Sequence, residues 1–157
     1  MQSQGYQNFE YHNADCFDVK VPSIGPAQAI YYDVAALNQC VKYIRQHNIQ
    51  HPIVYILACR IGPFAAHFQK VIHKLGGKLY INPDGHEWMR AKWSAPVRKY
   101  WKISEQLMTK HCDLLICDSK NIEKYIHDEY GKYNPKTTFI AYGAETRKSK
   151  LTMMIQS

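Results

Sequence analysis

Apolar residues recur at helical steps over residues 27–44, where Ala27, Ile30, Tyr31, Val34, Leu37, Val41 and Ile44 form one stripe. Spacing of three and four places them on the core-facing side of a helix. Pro26 opens that helix, because its fixed φ and missing N–H suit a first turn. The run Pro52-Ile-Val-Tyr-Ile-Leu-Ala58 is apolar without interruption and is followed by Gly62-Pro63, which predicts a central strand buried on both faces. A second helix is expected over about 63–75. Gly76-Gly77 stop it, since glycine takes the left-handed conformation of a helix C-cap, and 78–81 is a short strand.

The alternation then repeats. Ser94 is placed to cap a helix with Val97, Tyr100, Trp101, Leu107 and Met108 on one face, and Asp113 to Cys117 reads as a buried strand. Asp118-Ser119 cap a further helix lined by Ile122, Tyr125, Ile126 and Tyr130, residues 131–135 break it, and Thr137 to Ala141 form the last strand. Upstream, Phe9 to Val21 reads as two short extended pieces around Asn13 to Asp15.

Strands joined by helices of this length pair in parallel through right-handed crossovers. The expected fold is therefore a Rossmann-like three-layer α/β/α domain with a mainly parallel sheet, spanning residues 1–145, and 146–157 read as a linker or loose tail. Ligands of such sheets bind beyond the C-terminal strand ends. That singles out Cys59 to Pro63, Asn82 to Glu87, Asp118-Ser119 and Tyr142-Gly143.

Composition narrows the class. With 157 residues, 46% hydrophobic and 21% charged, the chain suits one packed domain rather than a disordered one. No apolar run approaches the ~20 residues of a membrane span, and no basic-then-apolar signal opens the chain, so a cytoplasmic protein is expected. Five cysteines without C-x-x-C spacing fit reduced, mostly buried thiols better than a disulfide framework or zinc knuckle. A net charge of +7 favours anionic partners: nucleic acid, phosphorylated sugars or an acidic membrane surface.

The most unusual segment is Asn82-Pro-Asp-Gly-His-Glu-Trp-Met-Arg-Ala-Lys-Trp-Ser94. Asp84, His86 and Glu87 can serve as acid, base or acceptors toward sugar hydroxyls, while Gly85 admits a close ligand. Asp84-Gly85 is equally a plain turn. A zinc-protease reading of His86-Glu87 fails, since Arg90 stands where H-E-x-x-H needs its second histidine, and no metal is expected. Trp88, Trp93 and Trp101 share a window with Arg90, Lys92, Arg98, Lys99 and Lys102, a mixture suited to pyrophosphate, sugar stacking or a membrane headgroup layer. Single-stranded nucleic acid is the weaker alternative, because RNA- and zinc-finger motifs are lacking. Arg60 is a candidate phosphate contact or a structural residue. Its turn matches neither G-x-G-x-x-G nor a P-loop.

Five ordered blocks carry a resemblance: Tyr55-Ile-Leu-Ala-Cys-Arg-Ile-Gly-Pro-Phe64, Asn82-Pro-Asp-Gly-His-Glu-Trp88, Arg90-Ala-Lys-Trp-Ser94, Cys117-Asp-Ser-Lys120 and Phe139-Ile-Ala-Tyr-Gly143. They resemble the N-terminal, acceptor-side domain of bacterial rhamnosyltransferases in glycosyltransferase family 4. The resemblance implies one half of a two-domain GT-B enzyme that transfers L-rhamnose from dTDP-L-rhamnose to a lipid-pyrophosphate-linked saccharide. That acceptor belongs to capsule or cell-wall assembly at the inner face of the plasma membrane, and peripheral membrane contact is implied with it. No cofactor is implied besides the sugar-nucleotide co-substrate, which would bind mainly a C-terminal domain. By position, Asp84 would orient or deprotonate the acceptor hydroxyl and His86 would touch the reacting sugar or its phosphate. Arg60, Glu87, Trp88, Arg90, Lys92, Trp93, Ser119 and Tyr142 would contact acceptor or phosphate.

Family members carry an earlier strand with a G-T-R-G-I-P type loop, and a donor domain, neither of which has a counterpart here. The expectation is an N-terminally incomplete domain, inactive alone, with self-association through an uncovered sheet edge or apolar surface. A noncatalytic module that still holds a glycolipid or membrane surface is the alternative.

Overall fold

The structure is a computed structural model that describes residues 9–25, 27–83, 87–89 and 93–143, with Glu87 described in its backbone only. Two short strands, β1 (Phe9–Tyr11) and β2 (Ala14–Cys16), form an antiparallel hairpin. His12 and Asn13 turn it with φ of 49° and 61°, the positive values that a two-residue hairpin turn requires. Helix α1 (Ala27–Gln46) follows and buries Leu37, Val41 and Ile44 from the stripe read in the sequence. Pro26 lies outside the described residues.

A four-stranded parallel sheet comes next, in the order β3 (Ile53–Ile56), β4 (Lys78–Ile81), β5 (Leu114–Cys117) and β6 (Thr137–Phe139). Helices α2 (Gly62–Lys74), α3 (Ala95–Lys110) and α4 (Lys120–Tyr130) connect them. A parallel sheet flanked by helices is the Rossmann-like α/β/α class expected from the element order. One expectation needs correction: β3 is an edge strand, paired only with β4 among the described strands. A continuous apolar run reports the character of its side chains, not how many neighbours the strand has.

Strand register divides the sheet into two faces. Val54 and Leu79 are partners, as are Ile56 and Ile81, Ile81 and Leu115, and Cys117 and Phe139. Val54, Leu79, Ile81, Leu115 and Cys117 are buried and share one cluster with Leu37 and Ile44 of α1, Phe68 and Ile72 of α2, Met108 of α3 and Ile126 of α4. Consecutive strands in sequential order, joined by right-handed crossovers, put α2, α3 and α4 together on that face. On the other face Ile53 is 62%, Tyr55 42%, Leu57 65% and Ile140 57% exposed.

Helices α2 and α3 approach closely because Gly62 has no side chain. A Cβ there would lie 2.3 Å from the Ser104 Cα, and the Gly62 N–H instead donates to Ser104 Oγ at 2.7 Å. At the other end of α2, Gly76 adopts φ 74°, the left-handed stop anticipated from Gly76-Gly77. Among the described residues no helix is long and apolar enough to cross a membrane.

Candidate strand-end site

The groups at the C-terminal strand ends come from three connections. Arg60, between β3 and α2, donates from Nε to Asp33 Oδ2 at 2.7 Å and from Nη2 to Asp33 Oδ1 at 3.2 Å. This fork-shaped pair ties α2 to α1, and it offsets the arginine's charge. Tyr100 donates its hydroxyl to the Arg60 carbonyl at 2.8 Å, so α3 fixes the same turn. Burial, outweighing the lowering effect of Ser104, pushes the Tyr100 hydroxyl above its usual range, with Asp33 adding to the rise.

Beside Arg60 lies an open groove of ≈ 520 Å³ whose lining includes Gln28, Tyr32, Arg60 and Trp93. Two aromatic rings, an amide and a guanidinium are the usual equipment for a sugar ring: flat apolar surfaces for C–H faces and donors for hydroxyls. Trp93 packs against Trp101 with centroids 5.9 Å apart. Across the sheet, the amide nitrogen of buried Asn82 after β4 donates to the Tyr142 hydroxyl after β6 at 3.2 Å, which spans the end of β5. The other amide atom, Asn82 Oδ1, is buried without a hydrogen bond among the described residues. Ser119 accepts from the Asn121 N–H at 3.1 Å and caps α4, so its hydroxyl has a structural task.

Trp88 belongs to a separate cluster on the outer side of α3 and α4. Its ring lies 4.5 Å from Lys102 Nζ, its indole N–H donates to Tyr125 OH at 3.3 Å, and its carbonyl accepts from Arg98 Nε at 2.9 Å. Tyr125 donates to Glu105 Oε1 at 2.6 Å and accepts from Lys102 at 3.0 Å; Tyr130 also donates to Glu105 Oε1. Glu105 is 4% exposed, and its two tyrosine partners account for a carboxylate in such a place. Burial first, and the Glu105 carboxylate second, push the hydroxyl of Tyr125 above its usual range and that of Tyr130 well above it. Burial works against the charge of Lys102, but hydrogen bonds with Glu129 and Tyr125 outweigh it and hold its pKa above the ordinary value. Around this cluster Trp88, Arg98, Lys99 and Lys102 line a recess of ≈ 290 Å³.

Of the residues singled out in the sequence, Arg60 and Trp93 meet in the groove, Tyr142 joins Asn82, Ser119 caps a helix and Trp88 sits in the outer cluster. Asp84, His86, Arg90 and Lys92 lie outside the described residues, as does the side chain of Glu87. Asp33 and Glu105 were missed. Both stand on apolar stripes, Asp33 between Ile30 and Leu37, Glu105 between Trp101 and Met108, and a carboxylate at a core-facing position was the available signal.

No cysteine forms a disulfide and none is exposed: Cys117 is buried and the other four are largely covered, as expected of mostly buried thiols. Burial pushes the Cys112 thiol up to about 12 and that of Cys117 to about 11, which keeps both protonated and poor nucleophiles. No group of three metal-ligating side chains assembles among the described residues.

A four-stranded parallel sheet flanked by helices puts the chain in the Rossmann-like α/β class. Within it the chain belongs to the DUF1972 family, described as a domain of unknown function, whose model matches residues 1–145. No curated protein and no solved structure matches the chain.

Proposed function

We propose that the chain is the acceptor-side part of a sugar-nucleotide-dependent glycosyltransferase. The observation that carries this reading is the groove lined by Tyr32, Trp93, Arg60 and Gln28. Family membership supports it, since DUF1972 domains are often found in glycosyltransferase-related proteins. On this reading the groove takes a saccharide ring. The Asp33 pair leaves Arg60 as a hydrogen-bond donor with little net charge, better matched to hydroxyls than to a phosphate.

The finer proposal is transfer of L-rhamnose from dTDP-L-rhamnose to a saccharide on a lipid pyrophosphate, with the nucleotide held mainly outside this chain. Asp84 and His86, which follow β4 in sequence, are the proposed reacting pair: Asp84 takes or orients the acceptor hydroxyl's proton and His86 faces the reacting sugar. The recess at Trp88, Arg98, Lys99 and Lys102 supplies positive charge for the pyrophosphate or for headgroups of the inner membrane face.

Calorimetric titration of the chain with a short-chain lipid-pyrophosphate disaccharide and, in parallel, with dTDP-rhamnose tests the proposal. Binding of the first alone is expected, weakened about tenfold or more by Trp93→Ala, which removes a stacking surface. A folded chain that binds neither ligand overturns it.

A further inference from the structure

The face of the sheet opposite the helices carries an apolar strip that the site does not use. Register places Ile53, Tyr55, Tyr80, Leu114 and Ile116 on it, with Lys78 and Thr138, and alternation adds Leu57 and Ile140. Its charges are Lys78, at the first residue of β4, and at the strip's two ends Lys136 and Asp118, which the same alternation places on this face. Two further observations concern the same region. β3 pairs on one side only, through the carbonyls of Pro52 and Ile56, which accept from Lys78 and Asn82. By alternation, the main-chain groups of Ile53, Tyr55 and Leu57 therefore point to the free edge.

Parallel sheets occur almost only with both faces covered. Taking ~200 Å² as the full area of a large apolar side chain, the exposed fractions of Ile53, Tyr55, Leu57 and Ile140, together with the half-buried Tyr80, Leu114 and Ile116, leave roughly 600 Å² of apolar surface. That equals the upper end of the ~300–600 Å² patch of an ordinary monomer. Two such faces pressed together bury about 1,200 Å², above the roughly 1,000 Å² that a specific interface needs.

We propose that this face is the contact surface of a homodimer, in which two copies pack sheet against sheet about a two-fold axis. A second copy fits because the centre of the strip is apolar and its charges, Lys78, Lys136 and Asp118, stand at the strand ends. A chain at +7 repels its own copy over most of its surface, so the apolar centre of this face is where two copies can approach with the least like-charge contact. The arrangement has four layers, with helices outside and the two sheets inside at the ~10 Å spacing of packed sheets. It leaves the groove at Arg60 and Trp93, and the recess on α3, facing outward.

Light scattering coupled to size exclusion, over roughly 1 μM to 1 mM, tests the proposal. The wild-type chain is expected to move from 18.3 kDa to twice that mass as concentration rises. Leu57→Arg places a charge in the middle of the strip and is expected to raise the dimer dissociation constant at least tenfold, with unchanged far-UV circular dichroism. Ile103→Arg, at an exposed apolar position on α3 away from the sheet, is expected to leave dimerisation as it was. A wild-type chain that stays at 18.3 kDa throughout, a Leu57→Arg chain that dimerises normally, or an Ile103→Arg chain that does not, each overturns the proposal.

Discussion

The two faces of the sheet are built from equally apolar residues and end in opposite environments. On one, Leu79, Ile81, Leu115 and Cys117 are sealed beneath α2, α3 and α4; on the other, Ile53, Tyr55, Leu57 and Ile140 meet solvent. Side-chain character is the same. What differs is the direction of the chain: four strands laid down in order, each crossing right-handedly, deliver every connecting helix to one side. The buried core of the described residues therefore lies on one face, and the other is the face proposed for dimer contact.

Shortening a side chain on each face gives the largest contrast. Leu115→Ala, at a fully buried position, is expected to lose about 3 kcal/mol from cavity formation and lost transfer energy. Leu57→Ala on the open face should change the stability of the dilute monomer by less than about 0.5 kcal/mol. Urea midpoints at low concentration check both, and similar losses would erase the distinction between the faces.

Gly62→Ala probes how tightly the covered side is packed. The new methyl meets the Ser104 backbone and forces α2 and α3 apart, for an expected loss of about 2 kcal/mol. A thermal midpoint equal to wild type would mean that the two helices can separate freely.

Tyr130→Phe removes one of the hydrogen bonds to buried Glu105, with an expected loss of about 1 kcal/mol at neutral pH. Its pH signature is more telling. The Tyr130 pKa is raised in the folded protein, so its contribution is complete below the ordinary value of 10 and is lost as pH rises beyond it. The variant should show a shallower alkaline decline in stability than wild type, read from urea midpoints between roughly pH 9 and 11.

The smallest effect is expected at His111, at the end of α3. Its pKa lies below the ordinary 6.5, through burial first and then the charges of Lys110 and Lys70. Stability from this group is complete above 6.5 and falls as pH drops through the lower folded value. His111→Gln should flatten the decline between about pH 7 and 5, and an unchanged slope would exclude the histidine as its source.

Much of the fold was readable in the residues because local rules decide it. The stripe from Ile30 to Ile44 specified α1, Gly76 specified the end of α2, Ser119 the start of α4, and each parallel strand fell where the apolar runs stood. The site was less legible. Arg60 and Trp93 were marked, but nothing local told that Asp33, 27 residues earlier, would hold the guanidinium, or that Tyr32 would face the same groove. The cluster around Glu105 joins residues from α3, α4 and the turn after β4, and its tyrosines looked like ordinary core.

The sequence by itself determined where helices and strands lie and that the strands run parallel, because periodicity and turn chemistry act over a few residues. Only the tertiary structure decided that β3 stands at an edge, that Arg60 is matched by Asp33, and that one apolar face stays open. Those outcomes depend on which distant segments come together, and strand order and long-range pairing leave no periodic trace in the chain.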